Sequence, residues 1–368
     1  MRVIIVANSL FSGGAEKQLL WIARTLLEGG VPCAIFELRS NRGNQRLETL
    51  IDSASKAGVE IIRAAPRENY LRTWLRLEHF VTSHSTAMVW TWGFRSDLAI
   101  CALHLLGKRR RWICSLRTAN PGSLRSMSWL VRACAAQGAS YAANTWAARE
   151  MLGVVCLRTL ARSQVIYNFV PESKAEPVAL PRVLPRPLRV VMLGNIDLAK
   201  KGYDLVLELS EILQKEELLV EIHVAGRPDS DGKFVREIER RRLTTTLIYH
   251  GETGAPQEFL RSGHCYLLTS PFEGMPNALL EATSLALPTI TTKVGDLERL
   301  ATDGVQMRLV DTGDVQGLKD SLMAVMADWP AAVEMGKRGR AWCRESFHVE
   351  EIKTKLFEVM RMAANPEK

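Results

Sequence analysis

The chain contains no C-x-x-C pair, no G-x-G-x-x-G fingerprint, no short-period repeat and no low-complexity tract. Its seven cysteines are odd in number and widely scattered, so neither a disulfide framework nor a zinc site is indicated. They read as small core hydrophobes in a reducing compartment. Long apolar runs are also missing. The best candidate, residues 98–107, is too short to span a bilayer and is closed by Lys108-Arg109-Arg110-Arg111. The first apolar run, RVIIVA, passes straight into Asn8-Ser9, which reads as a strand and not as a secretory leader. A cytoplasmic location is expected, with peripheral attachment to the inner membrane face as an extension of it.

What is present is an ordinary globular composition, 47% hydrophobic and 24% charged over 368 residues, a length that favours two compact domains. Charge is divided unevenly. Residues 1–170 hold 22 Lys/Arg against 10 Asp/Glu, a balance of +12, and the remainder carries −4. A basic half points to an anionic partner: a phosphorylated ligand, an anionic membrane or nucleic acid. No recognition helix, RNP-like motif or zinc finger supports nucleic acid.

Short apolar strands alternate with helical stretches: RVIIVA, CAIFEL, VEIIRA, AMVWTW and RWICSL, each followed by a helix. That rhythm predicts a parallel sheet covered on both faces. It pauses at 171–187, which holds five of the fifteen prolines and reads as a linker, because proline fixes φ and removes a donor. It restarts with LRVVML, LLVEIHVAG, TLIYHG, CYLLTS and LPTITT and ends in helices over 315–327, 330–346 and 349–363. The expected fold is α/β, two doubly wound Rossmann-like domains facing a cleft. Residues 1–170 form the first domain, 171–187 the linker and 188–345 the second domain. A helix over 346–368 crosses back to the first domain. In such sheets ligands bind beyond the carboxyl ends of the strands, so the strand-to-helix turns are the candidate functional loops.

Three turns stand out. In NSLFSGGAEK, Gly13 and Gly14 precede a helix whose N-terminus attracts anions, although a tight turn without ligand explains them equally. In LGNIDLAKKGYD, Lys200 and Lys201 sit at a helix start, against the helix dipole, which makes sense if a phosphate meets them; a solvated lysine pair is the alternative. In SPFEGMPNALLEA, Pro276-Asn277 opens a helix, Glu273 lies in the loop before it and Glu281 about one turn inside. Two carboxylates directed at one small volume suit vicinal hydroxyls. Favour of the helix dipole for acidic residues accounts for one glutamate better than for both.

Together these turns resemble the family 4 glycosyltransferases, retaining enzymes of the GT-B fold. The matching pieces are SGGAEKQLLWIARTL, VIYNFVP, LGNIDLAKKGYDLVLEL, EIHVAG, LIYHG and SPFEGMPNALLEATSLALPTITTKVGD, in the family's order and over nearly the whole chain. The resemblance implies a UDP- or GDP-linked sugar as donor and a glycan or lipid-linked acceptor, in polysaccharide or lipopolysaccharide synthesis, with no cofactor and no essential metal. It assigns Glu281 to the ribose hydroxyls, Glu273 to the donor sugar and Lys201 to the diphosphate. Gly274, Met275 and Asn277, with Gly13 and Gly14, supply the backbone cradle. Three positions depart from the pattern: Asn195 where arginine is common, Ala286 where glycine is usual (expected to concern packing), and Arg117 nearest to a customary histidine. Arg117 reads either as an acceptor-side contact or as a surface arginine.

Other patterns compete. Asp229-Ser230-Asp231 has the D-x-D form of metal-dependent transferases but lies in a turn composition. Residues 68–80 and 120–134 mix aromatic, leucine and arginine side chains as amphipathic helices on an anionic bilayer do, and as core-facing stripes also do. The alternative functions are a nucleotide-sugar epimerase of the same fold and a non-catalytic nucleotide-binding protein.

Overall fold

The computed structural model describes residues 1–10, 13–40, 45–117, 120–169 and 176–365. Residues 11–12 of the first glycine turn, 118–119 after Arg117, 171–175 of the expected linker and 366–368 lie outside them. The chain divides into two units, Met1–Phe169 with Val349–Lys368, and Val170–His348.

Unit 1 alternates strands and helices in chain order: β1 (Val3–Ala7), α1 (Gly14–Glu28), β2 (Cys33–Glu37), α2 (Gln45–Lys56), β3 (Glu60–Ile62), α3 (Tyr70–Ser83), β4 (Met88–Trp92), α4 (Phe94–Leu105) and β5 (Arg111–Leu116). It continues with α5 (Pro121–Ser126), α6 (Ser128–Ala136), β6 (Ser140–Ala143), α7 (Trp146–Val155) and β7 (Ser163–Val165). The sheet is parallel, in the order β3-β2-β1-β4-β5-β6-β7. Strands β1, β2 and β4 are buried along their whole length, as near-continuous apolar strands covered on two faces must be.

Unit 2 runs β8 (Leu188–Leu193), α8 (Tyr203–Lys215), β9 (Val220–Ala225), α9 (Lys233–Arg240), β10 (Leu247–Tyr249), α10 (Pro256–Arg261), β11 (Cys265–Leu268) and α11 (Asn277–Ser284). Then come β12 (Thr289–Thr292), α12 (Leu297–Leu300), β13 (Arg308–Val310), α13 (Val315–Ala327) and α14 (Trp329–Ser346). Its parallel sheet has the order β10-β9-β8-β11-β12-β13. The last helix, α15 (Val349–Ala364), packs on β5, β6 and β7 of unit 1. It buries Ile352, Leu356, Val359 and Met360 there.

Both sheets are doubly wound, the fold class that the alternating pattern predicts. The strands β6, β7 and β13 escape the pattern because SYAA, SQV and RLV are short and barely apolar. The stretch 120–134 is not one amphipathic helix but two, α5 and α6, parted at Met127. The described part of the proline-rich segment has no regular element, yet it is tied to unit 2. Trp329 Nε1 donates to Pro181 O at 2.8 Å, the Val178 amide to Leu285 O at 2.9 Å and Arg261 to Glu176 O at 2.7 Å.

Topology explains where sites can form. Strand order reverses between β1 and β4 in unit 1 and between β8 and β11 in unit 2. At such a point the crossovers leave in opposite directions, which opens a crevice at the carboxyl ends of those two strands.

Candidate active site

In unit 2 the two loops flanking the reversal, after β8 and after β11, carry Lys201 and Glu273. Residues 72 positions apart in sequence therefore meet: Lys201 Nζ lies 2.5 Å from Glu273 Oε1. Ser270 Oγ donates to the same carboxylate oxygen at 3.1 Å. The lysine thus already has an anion. Glu273 supplies a countercharge for Lys201 at the helix start, beside the phosphate that its position suggests. Lys200, by contrast, is a surface side chain, 82% exposed and 3.4 Å from Asp197.

The backbone around this pair admits no side chains. Gly202 has φ +68°, and a Cβ on it would lie 2.0 Å from Thr269 O. Thr269 Oγ1 donates to Gly202 O at 2.9 Å, which fastens the Lys201 loop to the end of β11. A Cβ on Gly226 would lie 1.8 Å from Gly194 O, so the ends of β8 and β9 also close together. Tyr203, at the first position of α8, donates its hydroxyl to Gly194 O at 3.0 Å. Asn195 follows, exposed.

Helix α11 begins after Pro276, which occupies the cap position without any side-chain cap. Its first amides face the turn that holds Gly274 and Met275, both buried. Glu281 is the fifth helical residue, half-buried. The rear of α11 rests on α14, where Cys343 Sγ approaches Leu280 O at 3.8 Å and a Cβ on Gly339 would lie 3.1 Å from Thr283 Cγ2. Two residues that sequence reasoning passed over belong here. Tyr266, wholly buried on β11, feels both Glu273 and Glu281: burial first, then Tyr203, then these carboxylates push its phenol well above its ordinary range. Its hydroxyl has no hydrogen-bond partner among the described residues. Phe272, next to Glu273, is 53% exposed. Only the β-strand register links Tyr266 to this loop, and no motif marked it.

Ala286 was expected to replace the usual glycine as a packing matter, and the structure corrects this. The residue has φ +60°, a left-handed backbone that favours glycine, so the departure is conformational. Asp229 of the D-x-D triplet accepts from the Lys233 and Phe234 amides, the former at 2.6 Å, and so caps α9. Asp231 lies 3.9 Å from Arg236.

In unit 1 the corresponding reversal holds Asn8, whose Oδ1 accepts from the Ser96 amide at 2.9 Å. Gly13 caps α1 with an extended backbone, φ −122°, so no positive φ requires the glycine. Nor does space demand it: a Cβ on Gly13 would lie 2.4 Å from Glu16 Oε2, the far end of a side chain that can swing aside. A carboxylate therefore stands beside the helix N-terminus whose sequence reads either as an anion site or as a tight turn without ligand. Arg117 is not a surface arginine. Its guanidinium stacks 4.7 Å from the Trp92 ring and donates to Asn168 Oδ1. Burial brings it down to about 10, with Glu16 pulling the other way. Arg117 Nε, Trp92 Nε1 and Asn144 Oδ1 are buried with no hydrogen-bond partner among the described residues. They follow or end three neighbouring strands, β4, β5 and β6, and so line one edge of the carboxyl end.

An apolar cavity of about 400 Å³ lined by Phe36, Ile62 and Phe80 contains none of these residues. Among the described residues no three His, Cys, Asp or Glu side chains group as metal ligands, and no helix is long and apolar enough to cross a membrane.

Residues 184–342 match the family model described as glycosyl transferases group 1. A poly(ribitol-phosphate) alpha-N-acetylglucosaminyltransferase of Staphylococcus aureus is 24% identical over 154 residues, 41% of this chain and 31% of that protein. An N-acetyl-alpha-D-glucosaminyl L-malate synthase of Bacillus anthracis is 23% identical over 208 residues, 54% of each chain. The chain thus spans about a third to a half of these relatives. The crystal structure of Anabaena Alr3699/HepE in complex with UDP and glucose superposes with a TM-score of 0.81 at 14% identity, over 98% of this chain and 99% of that one. That likeness shows the fold, which is GT-B.

Proposed function

We propose that the protein is a retaining glycosyltransferase that moves a sugar from a nucleoside-diphosphate sugar, UDP- or GDP-linked, to a glycan or lipid-linked acceptor in surface polysaccharide synthesis. The observation that carries the reading is the convergence of Lys201 and Glu273 across the β8/β11 reversal, with Glu281 one turn inside the adjoining helix. A diphosphate entering the crevice competes with Glu273 for Lys201. Glu273, released, then turns to the donor-sugar hydroxyls, while Glu281 takes the ribose and the α11 amides, with Gly274, Met275 and Asn277, take the phosphates. Gly13 and Gly14 are placed near the donor only in this reading. Lys201 and the helix terminus stabilise charge on the leaving nucleotide, so the reading assigns no metal and no cofactor. The unpartnered groups around Arg117 make it the acceptor-side candidate. Peripheral contact with an anionic membrane completes the partners, and nucleic acid is not among them.

The test is turnover of nucleotide sugars with and without acceptor. Nucleoside diphosphate should be released only when acceptor is present. Isomerisation of the donor without acceptor would establish the epimerase, and binding without any turnover the non-catalytic protein.

A further inference from the structure

In a doubly wound unit the crossover helices on one face of the sheet start at the carboxyl ends of the strands. Helices α3, α4, α6 and α7 of unit 1 form such a layer: Trp74 Nε1 of α3 reaches Ala99 O of α4 at 3.4 Å, and α4 packs on α6 and α6 on α7. Each of the four has an aromatic residue in its first two positions, namely Tyr70, Phe94, Trp129 and Trp146. Three of these rings stand well out of the fold, Tyr70 at 48%, Trp129 at 55% and Trp146 at 38% exposure. Contacts join the first three helices through these residues. Tyr70 Oη donates to Arg95 O at 3.5 Å, and Phe94 meets Trp129 edge-on at 6.3 Å. The same two helices expose aliphatic side chains, Leu71 and Leu75 on α3 and Leu98 on α4, Leu75 also lining the cavity with Phe36 and Phe80.

The apolar residues of the two amphipathic stretches therefore divide. Leu124, Leu130 and Trp74 turn inward, while Tyr70, Leu71 and Trp129 do not. Charge separates in the same way. From residue 98 to 149 there are eight Lys/Arg and no Asp or Glu. Arg76 is neutralised by Glu68 at 2.7 Å, and Arg132 turns to Val155 O. Arg72, Arg95 and Arg125 are exposed and enter no ion pair among the described residues.

We infer that this rim is a docking surface for an anionic lipid bilayer, the aromatic rings and leucines entering the headgroup boundary and the arginines meeting phosphates. The inference deepens the membrane partner of the proposed function. A soluble polysaccharide would use the rings but not the leucines, whose methyl groups offer polyhydroxylated chains nothing, and nucleic acid would use the arginines without the leucines. A bilayer uses both kinds of residue.

Sedimentation of the full chain with vesicles decides it, using phosphatidylcholine alone or mixed with phosphatidylglycerol and no sugar ligand. The protein should bind the mixed vesicles, less so in high salt, and leave the neutral ones. The surface variant Leu71→Ser/Trp129→Ala should weaken binding tenfold or more. Arg95→Ala and Arg125→Ala should each weaken it about fivefold. Leu105→Ser, 77% exposed at the far end of α4, should leave it unchanged. No binding to mixed vesicles, or full binding by the rim variants, overturns the proposal. So does capture by heparin or RNA without capture by vesicles. Transfer to a soluble acceptor, measured separately, reports on the glycosyltransferase reading whichever way the vesicles behave.

Discussion

At the scale of single residues the governing contact is Lys201 with Glu273. Exposure of 38% and 17% for the two side chains leaves the pair partly screened, so it contributes modestly to stability and can be exchanged for a ligand. Glu273→Gln should lower turnover by about 10²-fold or more, as loss of a transition-state contact does, while nucleoside diphosphate affinity stays level or rises because a competing anion is gone. Calorimetry with the nucleotide alone checks this, and a fall in affinity would remove Glu273 from the sugar side. Lys201→Ala should behave oppositely, weakening nucleotide binding by about tenfold to a hundredfold, the worth of a charge-assisted hydrogen bond. Ala286 offers a test of backbone strain. With φ +60°, Ala286→Gly should raise unfolding free energy by about 1 kcal/mol, net of the greater entropy of the unfolded glycine chain, and shift the urea midpoint upward.

Among the elements, α4 shows burial outweighing the helix dipole. Asp97 is in its first turn and His104 in its last, each at the end that favours its charged form. Burial nevertheless pushes Asp97 up to about 7, with Thr91 and Cys114 opposing, and brings His104 down to about 4, helped by Arg109 and Arg110. For Asp97 the folded state holds a proton that the unfolded state has lost, so its contribution falls as pH rises from about 4 through 7. Asp97→Asn, which keeps the oxygen that accepts from Thr91, should therefore be more stable than the native chain at pH 8 and show a flatter melting profile between those limits. For His104 the unfolded state binds the extra proton, so stability is lost as pH drops from 6.5 toward about 4. Its imidazole resonances should stay in the neutral position until near the lower limit, and titration at the ordinary pH would contradict the burial argument.

At the scale of the whole molecule, two separate cores share one chain, and the chain returns to the first through α15. Leu356 is fully buried in that helix, so Leu356→Ala should cost about 2–5 kcal/mol. Hydrogen exchange should quicken in β5, β6 and β7 and leave unit 2 unaffected. Much of this was legible beforehand. Alternating apolar runs foretold both parallel sheets, and CYLLTS followed by PFEGMPNALLEA located the loop, the helix start and both glutamates to the residue, because strand period, proline and helix register act over neighbouring positions. What lay hidden were relations between distant positions. No local signal brings Lys201 to Glu273, puts Tyr266 in the field of both carboxylates, sets Glu16 beside Gly13 or stacks Arg117 on Trp92. Nor does one tell which leucines of an amphipathic stretch face the core, since the same pattern serves a buried stripe and an exposed one. The chain alone determined which residue types stand at the ends of which strands. Only the strand order, with its reversals at β1/β4 and β8/β11, decided which of those ends share a crevice, because adjacency in a sheet is set by crossovers and packing and not by distance along the sequence.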